Sequence, residues 1–486
     1  MPVRLLLRYY RRTGDKKVLE MARLTLDKMA AGGIYDQVGG GFHRYATDEK
    51  WLVPHFEKML YDNALLVMAY LDGYQVTGEQ DYRRVVAEIL RYVARDMTAP
   101  AGAFYSATDA DSLNLKGHRE EGYYFTWTAA ELDKILGAET GRIVKAYYGV
   151  GKTPNFADRY ILNRQVADES VAKNLGISAA RLLTIINQAR ETLYQQRNHR
   201  SRPLRDDKIL TSWNGLMISA YARAGLILAE RRYTESAVKA ADFVLENLYR
   251  DGKLYRSYKD GKARHMAYLD DYAFFITSLI DLYEATYQIK WLKQAVLLDK
   301  VLQSDYADQK SGGFFMTAKG QSGLIAREKP SYDGAEPSGN SVALLNLLKL
   351  CEYTTNDNYR IRAEKMLSLF LGGSSAQPLA LSEMLLALDF HSDRVKEIVI
   401  VTPSGRLPEA GSYISEFRKK FLPNHTFSVV SVGQNLAAQA GLVPLVKNKL
   451  ALNGKTTAYL CENGTCQLPA TTPADFALQL GAVDKY

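Results

Sequence analysis

Ionisable side chains that could transfer protons lie in a few polar segments of this chain. The longest segment is the glycine-rich stretch 32–63, and shorter ones surround Asp109, Asp271 and Glu336. Carboxylates can act as a general acid and a general base, and histidine changes its charge near neutral pH. We therefore predict that the catalytic residues are Glu57, Asp109, Asp271, Glu336, His43 and His55.

Other polar and aromatic side chains in these segments suit a sugar ligand. Carboxylates and amides form hydrogen bonds with hydroxyl groups, and flat aromatic faces stack on the C–H faces of a sugar ring. Glycoside hydrolysis needs a carboxylic acid and a second carboxylate, whereas epimerisation needs a base and an acid on opposite ring faces. Both reactions stay open, and the predicted substrate-binding residues are Tyr35, Asp62, Trp213, Asn214, Tyr272 and Asn340.

Each candidate also has a purely structural interpretation. His43 and His55 could be hydrogen-bonded histidines that tie the glycine-rich loop to the fold. Glu57 could simply favour the positive end of a helix dipole. Asp270 is a candidate N-cap, and in that case Asp271 is free to face a ligand.

Amphipathic helices recur in pairs between residues 3 and 390, and a glycine–aromatic step separates many of the pairs. Helical hairpins cannot bury their apolar faces alone, so they must stack on one another. A closed ring of six hairpins, an (α/α)6 toroid, meets this need, and an open superhelix is the alternative. We expect the helix at 3–13 to be an outer one, and the inner helices, which have the widest apolar faces, at 55–76, 212–229, 269–287, 337–355 and 377–390.

The fold class is therefore mainly α, with two predicted domains. Residues 1–392 form the toroid, with an insertion at about 105–205, and the starts of its inner helices converge on one opening that gathers the candidate residues. Residues 393–486 form a small α/β domain, because short apolar strands alternate there with a helical segment. The two strands that flank this helix should be parallel.

Composition narrows the classes of partner. The chain has 486 residues with a formal net charge of +8, and its basic residues are scattered, so we expect no nucleic-acid partner. Since no apolar run is long enough to span a bilayer, we expect a cytoplasmic protein without a membrane partner. Three cysteines make neither a disulfide scaffold nor a zinc site, and we expect no metal and no cofactor. Cys461 and Cys466 could still pair across a turn, although a reducing cytoplasm disfavours it.

Four segments of the chain resemble one known family. They are residues 32–72, Phe-Tyr-Ser-Ala-Thr-Asp-Ala-Asp-Ser at 104–112, Asp-Asp-Lys-Ile-Leu-Thr-Ser-Trp-Asn-Gly-Leu at 206–216 and Tyr-Leu-Asp-Asp-Tyr-Ala at 268–273. Together they resemble the thioredoxin-domain-containing proteins that include the spermatogenesis-associated relatives and carry a domain of unknown function. The resemblance covers nearly the whole chain and implies a six-hairpin glycosidase-like barrel. Because members usually begin with a thioredoxin-like domain, we expect this chain to start downstream of that domain.

Two functions are compatible with these observations. The first is a carbohydrate-binding barrel that acts as a glycoside hydrolase or as an epimerase or isomerase similar to N-acylglucosamine 2-epimerase. The alternative is a non-catalytic protein that docks a thioredoxin-like redox partner, which predicts an exposed apolar patch near residues 1–30.

Overall fold

The computed structural model describes residues 2–321, 325–372 and 378–482 of the chain. Helices dominate it. In chain order they are α1 (Pro2–Thr13), α2 (Lys16–Ala31), α3 (Leu60–Thr77), α4 (Gln80–Asp96), α5 (Ala129–Leu136), α6 (Ala138–Tyr147), α7 (Asp168–Leu175), α8 (Ala179–Arg197), α9 (Thr211–Leu228), α10 (Arg231–Asn247), α11 (Leu269–Thr286), α12 (Ile289–Val301), α13 (Gly339–Thr354), α14 (Asp357–Leu371), α15 (Ser382–Ser392), α16 (Gly411–Arg418), α17 (Gln434–Ala440) and α18 (Pro473–Gly481).

Six of these helices close a ring. Helix α3 packs against α9, α9 against α11, α11 against α13, and α13 against α15, while α1 packs against both α15 and α3. Helices α2, α4, α10, α12 and α14 lie outside, each against the ring helix that precedes it. Ring helices such as α9 and α11 are buried around most of their circumference, as expected for inner helices. The predicted (α/α)6 toroid is thus confirmed.

Helix α1 corrects one prediction, because it belongs to the ring and not to the outer layer. The charged residues of α1 indicated an exposed outer helix, and this assignment was wrong because two of its arginines are buried. Arg4 donates to Asp72 on α3 at 2.9 Å, and Arg8 donates to Asn424 at 2.7 Å. These arginines close the ring because each joins α1 to a distant part of the chain, and buried charges are tolerated only when paired in this way.

A buried asparagine fixes the polypeptide above the start of ring helix α9. Asn214 accepts a hydrogen bond from the Phe104 N–H at 2.8 Å and donates to the Phe104 and Leu210 carbonyls, each at 2.9 Å. One amide therefore satisfies both backbone groups of a residue that lies outside any strand. We call this arrangement an asparagine clamp.

The clamp recurs on two other ring helices. Asn63 on α3 makes the same pair of hydrogen bonds with Phe42, and Asn340 on α13 makes them with Phe314. The clamped phenylalanines belong to glycine–aromatic steps of the kind recognised in the sequence. Three loop segments of this kind are thus held onto the start of the next ring helix.

The strands are short, and most of them lie in the loops before the ring helices. They are β1 (Tyr45–Ala46), β2 (Pro54–His55), β3 (Lys58–Met59), β4 (Ala107–Thr108), β5 (Asp111–Leu113), β6 (Arg119–Glu121), β7 (Arg205–Asp206), β8 (Ile209–Leu210), β9 (Tyr249–Arg250), β10 (Lys253–Lys259), β11 (Lys262–Met266), β12 (Lys396–Thr402), β13 (His425–Ser431), β14 (Thr457–Glu462) and β15 (Thr465–Cys466).

The segment before α3 differs from the prediction. The helix predicted at 55–76 begins at Leu60, because β3 pairs antiparallel with β4 and keeps Lys58 and Met59 extended. His55 and Glu57 therefore lie in the polypeptide before the helix and not in its first turns.

The C-terminal region contains a four-stranded sheet in the order β13–β12–β14–β15. Strands β12 and β13 are parallel, as predicted, and β14 runs antiparallel to β12. Cys461 and Cys466 face each other across β14 and β15 and form a disulfide, against the expectation from a reducing cytoplasm. None of the helices in the described ranges is long and apolar enough to cross a bilayer.

Removing one clamp should destabilise the whole ring. Asn214→Ala leaves the buried N–H and C=O of Phe104 without partners, so the free energy of unfolding should fall by about 3 kcal/mol. Urea titration followed by far-ultraviolet circular dichroism measures this. Asn358→Ala on the exposed start of α14 is the matched control, with a change of at most about 0.5 kcal/mol. Equal stabilities of the two variants would contradict the role of the clamp.

Candidate functional site

Three carboxylates lie at the opening of the ring formed by the N-terminal ends of its helices, here called the mouth. Asp62 is in the first turn of α3, Asp270 is in the first turn of α11, and Glu336 is in the loop before α13. Their electrostatic influence on one another shows that they are neighbours, because Glu336 raises the pKa of both aspartates. The site therefore combines acids from three different hairpins.

Glu336 is held by an aromatic pair. The indole Nε1–H of Trp213 donates to Glu336 Oε2 at 2.7 Å, and the Trp213 ring lies 4.9 Å from the ring of Tyr61. Burial raises the pKa of Glu336, while the Trp213 hydrogen bond and the nearby Arg256 oppose the rise. Among the described residues, Glu336 is thus the one of the three acids that accepts a hydrogen bond from a side chain, which favours its anionic form.

Asp62 differs from Glu336 because no side chain in the described ranges donates a hydrogen bond to its buried Oδ2. Burial raises its pKa to about 8, Arg44 opposes the rise, and Glu336 and Glu57 add to it. Its Oδ2 is buried and has no hydrogen-bond partner among the residues that the structure describes. At neutral pH this carboxyl is therefore largely protonated and can donate a proton.

Asp270 is the third acid of the mouth. From the sequence we expected Asp270 to cap the helix and Asp271 to face a ligand, and the structure reverses these two positions. Burial raises its pKa to about 7, with Asp271 and Glu336 adding to the rise, and its buried Oδ1 has no partner within the described ranges. Asp271 instead accepts hydrogen bonds from the Ser212 and Tyr268 N–H groups at 2.9 and 2.8 Å. Asp271 thus fixes the start of α11, and Asp270 is left free at the mouth.

Glu57, His55 and Arg44 form a partly exposed rim beside Asp62. Arg44 Nη1 donates to Glu57 Oε2 at 3.0 Å, and His55 Nε2 lies 3.2 Å from the same oxygen. His55 Nδ1 is 2.7 Å from Glu121 of β6. Of the predicted catalytic residues, Glu57 and His55 therefore lie near the mouth but are already paired.

An apolar cavity of about 90 Å³ continues from the mouth along the axis of the ring. Its walls include Leu65, Leu216 and Phe274, which lie three or four residues after Asp62, Trp213 and Asp270 on the same helices. This spacing places each pair on one helix face, so the mouth residues lie one turn above the cavity wall.

Charged residues close the far end of this cavity. Asp72 accepts from Arg4 at 2.9 Å and from Arg223 at 3.0 Å, and Lys349 lies 3.6 Å from both Asp281 and Glu284. His425 from the C-terminal sheet also lines this end. The cavity is thus entered from the mouth and ends in a layer of ion pairs.

Two predicted catalytic residues lie elsewhere. His43 is 2% exposed, donates from Nδ1 to the Phe56 carbonyl and packs edge-on against Phe56 and Phe125. Burial, with Lys58 adding to it, lowers its pKa to about 3, so it remains neutral. Asp109 pairs with Arg119 at 2.5 Å in the insertion. The structure does not bring these two side chains to the mouth, and the sequence could not show this because it gives no direction for a side chain.

Four predicted substrate-binding residues are structural instead. The side-chain amides of Asn214 and Asn340 form the hydrogen bonds of the clamps, and both side chains are buried. Tyr35 donates its hydroxyl to Glu88, and the Tyr272 hydroxyl accepts from the Leu254 N–H at 3.0 Å. Asp62 and Trp213 are the substrate-binding predictions that the structure brings to the mouth.

The structure adds three residues that sequence reasoning did not select for the site: Asp270, Tyr61 and Arg256. Tyr61 lies between Arg44 and Trp213, and burial raises its pKa to about 12. Arg256 of β10 lies 3.3 Å from Asp271. The adjacent aspartates Asp270 and Asp271 could be recognised in the sequence as candidates, but the sequence could not show which of the two accepts the backbone hydrogen bonds.

Within the described ranges, no group of three or more histidine, cysteine, aspartate or glutamate residues is placed to hold a metal ion.

A ring of helical hairpins with acids at its mouth places the protein in the (α/α)6 toroid class. No family model matches the chain. In sequence it is 34% identical over 498 aligned residues to spermatogenesis-associated protein 20 of Homo sapiens, covering 96% of this chain and 63% of that protein. The two proteins are homologous, and this chain spans less than two thirds of its relative.

Two solved structures are similar to this chain at low sequence identity. An alpha-mannanase of Bacteroides thetaiotaomicron matches 76% of this chain and 73% of its own with a TM-score of 0.44 and 12% identity. A D-mannose isomerase matches 74% of this chain and 87% of its own with a TM-score of 0.35 and 13% identity.

The raised pKa of Asp62 makes stability depend on pH. Between about pH 4 and pH 8 the folded chain keeps a proton that the unfolded chain has lost, so stability falls as the pH rises. Asp62→Asn removes this cost. It should raise the free energy of unfolding at pH 8 by about 2 kcal/mol, and the gain should vanish near pH 4.

Urea unfolding of the variant and the parent chain at both pH values checks this prediction. Asp158→Asn, at an exposed loop position, is the control and should show no such pH-dependent gain. A gain for Asp62→Asn that is equal at pH 4 and pH 8 would contradict a protonated Asp62.

Proposed function

We propose that this protein is a sugar-active enzyme that uses general acid–base chemistry at the mouth of the ring. The observation that carries the proposal is the group of three acids with raised pKa values, in which Glu336 accepts a hydrogen bond from the Trp213 indole while one carboxylate oxygen each of Asp62 and Asp270 is buried and has no partner among the described residues. Pairs of acids whose environments differ in this way are typical of catalytic acid and base assignments. In this proposal Glu336 is the base or nucleophile, and an aspartate is the acid.

The other mouth residues supply the means to hold a sugar. The partly exposed Trp213 offers aromatic surface beside Glu336, on which the C–H face of a sugar ring can stack, and the buried Tyr61 ring packs against it. The unpartnered oxygens of Asp62 and Asp270 can form hydrogen bonds with hydroxyl groups. Ligand binding would then satisfy buried polar atoms that otherwise lack a partner, which supports a polar substrate over an apolar one.

The shape of the site favours a small substrate or the end of a chain. The cavity below the mouth is apolar, has a volume of about 90 Å³ and ends at the ion pairs of Asp72. A polymer cannot pass through such a closed space. We propose that one sugar unit enters the mouth, with any remaining units directed outward to solvent.

Asp270 and Glu336 should be needed for turnover more than for binding. Asp270→Asn and Glu336→Gln keep the shape of the site but remove an acid and a base, so each should lower kcat by about 100-fold or more. The substrate is first found by a thermal-shift screen of mono-, di- and aminosugars and their phosphorylated forms, because a ligand of the native state raises the melting temperature.

Asp109→Asn is the matched control for these variants, since Asp109 is an acid of the insertion that pairs with Arg119. Its kcat should stay within about twofold of the parent value. A fully active Asp270→Asn/Glu336→Gln double variant, or a screen in which no sugar raises the melting temperature at millimolar concentration, would contradict the proposal.

Hydrolysis and epimerisation can be separated once a substrate is known. Hydrolysis incorporates the oxygen of water into the product, which ¹⁸O-labelled water and mass spectrometry detect. Epimerisation through proton abstraction exchanges a carbon-bound hydrogen with solvent, so deuterium should enter the product in D2O. The mouth provides an acid and a base for either reaction.

A second candidate function, docking of a thioredoxin-like partner, has one observation in its favour. Met21 and Leu24 on α2 are 56% and 59% exposed and lie three residues apart on one helix face. In this proposal the pair contributes to a docking surface. Met21→Glu/Leu24→Glu should then abolish retention on immobilised thioredoxin, whereas Leu478→Glu on α18, which is also exposed, should not. Equal retention of both variants would contradict docking at α2.

A further inference from the structure

A second cavity, separate from the mouth, lies between the glycine-rich loop and the insertion. Its volume is about 80 Å³, room for several groups the size of a water molecule. Lys58 and Arg197 line its inner end, and both side chains are 2% exposed. Arg202 and Arg205 line its outer end, where their side chains are 57% and 39% exposed. We call this space the basic cavity.

The inner end of the basic cavity carries an excess of positive charge. Lys58 and Arg197 share a single carboxylate, since Asp36 accepts from Lys58 at 2.8 Å and from both terminal nitrogens of Arg197 at 2.9 Å. His43, which lies beside them, is neutral. Two buried cations therefore face one anion, and a buried charge without a partner is costly.

The outer end adds further cations. Asp96 lines the cavity but is already paired with Arg95 at 2.6 Å, and Arg202 Nη1 lies 3.8 Å from it. Arg205 pairs with the exposed Asp207 at 2.6 Å. The acids at this end thus balance only part of the charge, and the cavity as a whole stays cationic.

Several buried hydrogen-bond donors in the cavity wall are unused. Among the described residues the Arg197 Nε–H has no hydrogen-bond partner. Lys58 donates to Asp36 and to the Gly40 carbonyl, and its ammonium lies 4.3 Å from the centroid of the Tyr92 ring. The hydroxyls of Tyr92 and Thr108 lie beside each other and lack any other partner in the part of the chain that the structure describes. Tyr92 is 4% exposed, so water does not satisfy it freely.

The glycine-rich loop is shaped around this network and not around the mouth. A Cβ atom on Gly39 would lie 2.0 Å from Arg197 Nη2, and one on Gly41, whose φ is +78°, would lie 2.5 Å from the Tyr92 ring. These glycines let the backbone approach the cations and the tyrosine more closely than another residue could. The loop therefore holds the basic cavity in one geometry.

We infer that the basic cavity binds the phosphate group of a small ligand, with Lys58 and Arg197 at its inner end, the Tyr92 hydroxyl at its side and Arg202 and Arg205 at its entrance. A phosphate supplies the negative charge that this cluster lacks and has enough oxygens for donors on several sides. Tyr124 and Phe125 also line the cavity, and their ring centroids lie 4.9 and 5.4 Å from the guanidinium carbon of Arg197, which helps to hold this cation in place. This site is independent of the mouth and of the reaction proposed there.

Isothermal titration of the full chain with inorganic phosphate tests the inference, with ionic strength held constant. One phosphate should bind per chain. Arg202→Gln/Arg205→Gln should weaken binding by about tenfold or more, because two partly exposed cations near the anion are lost. Tyr92→Phe should weaken it by about threefold to tenfold, since it removes only one hydroxyl. Circular dichroism melting checks that each variant stays folded.

The matched control is Arg231→Gln/Arg232→Gln, which removes the same charge from the exposed start of α10. Its phosphate affinity should equal that of the parent chain. Three results would overturn the inference: no phosphate binding at about 10 mM, equal weakening in the control, or unchanged affinity in Arg202→Gln/Arg205→Gln. Acetate that binds as tightly as phosphate would overturn the assignment to phosphate.

Discussion

Buried amide groups hold the loops of this protein onto its ring of helices, and the rest of the site depends on them. Each of the three asparagine clamps satisfies the N–H and C=O of one phenylalanine that lies outside the named strands, in an isolated β-bridge. A loop without such hydrogen bonds could not be buried, because orphan backbone groups are costly. Asp62 precedes the clamp at Asn63, Trp213 precedes Asn214, and Glu336 lies four residues before the third clamp.

At the mouth, in contrast to the clamps, some buried polar atoms have no hydrogen-bond partner among the described residues, namely Asp62 Oδ2 and Asp270 Oδ1. Asp62 and Asp270 are held in a largely buried place that raises their pKa values. Such an arrangement lowers stability at neutral pH and is retained where a group must donate a proton or bind a ligand. The clamps thus provide the rigidity that allows the mouth to keep unsatisfied acids.

Charge is arranged differently in the two cavities. Along the axis of the ring, acids at the mouth and ion pairs at the far end are separated by an apolar wall. In the basic cavity, two buried cations share Asp36, and unused donors point to an anion. The protein therefore combines an acidic mouth, for which we propose a sugar ligand, with a basic cavity, for which we propose a phosphate group.

The sequence by itself determined the paired helices and predicted the ring, because helical periodicity and repeated glycine–aromatic steps are local patterns. It also indicated Asp62, Trp213 and Glu336, since polar residues at the starts of wide-faced helices converge in a toroid. Only the tertiary structure decided that α1 is a ring helix and that Asp270, not Asp271, is free. Those outcomes depend on which partner each charge finds across the fold, Asp72 for Arg4 and the Ser212 N–H for Asp271, and no local pattern encodes a partner so distant in sequence.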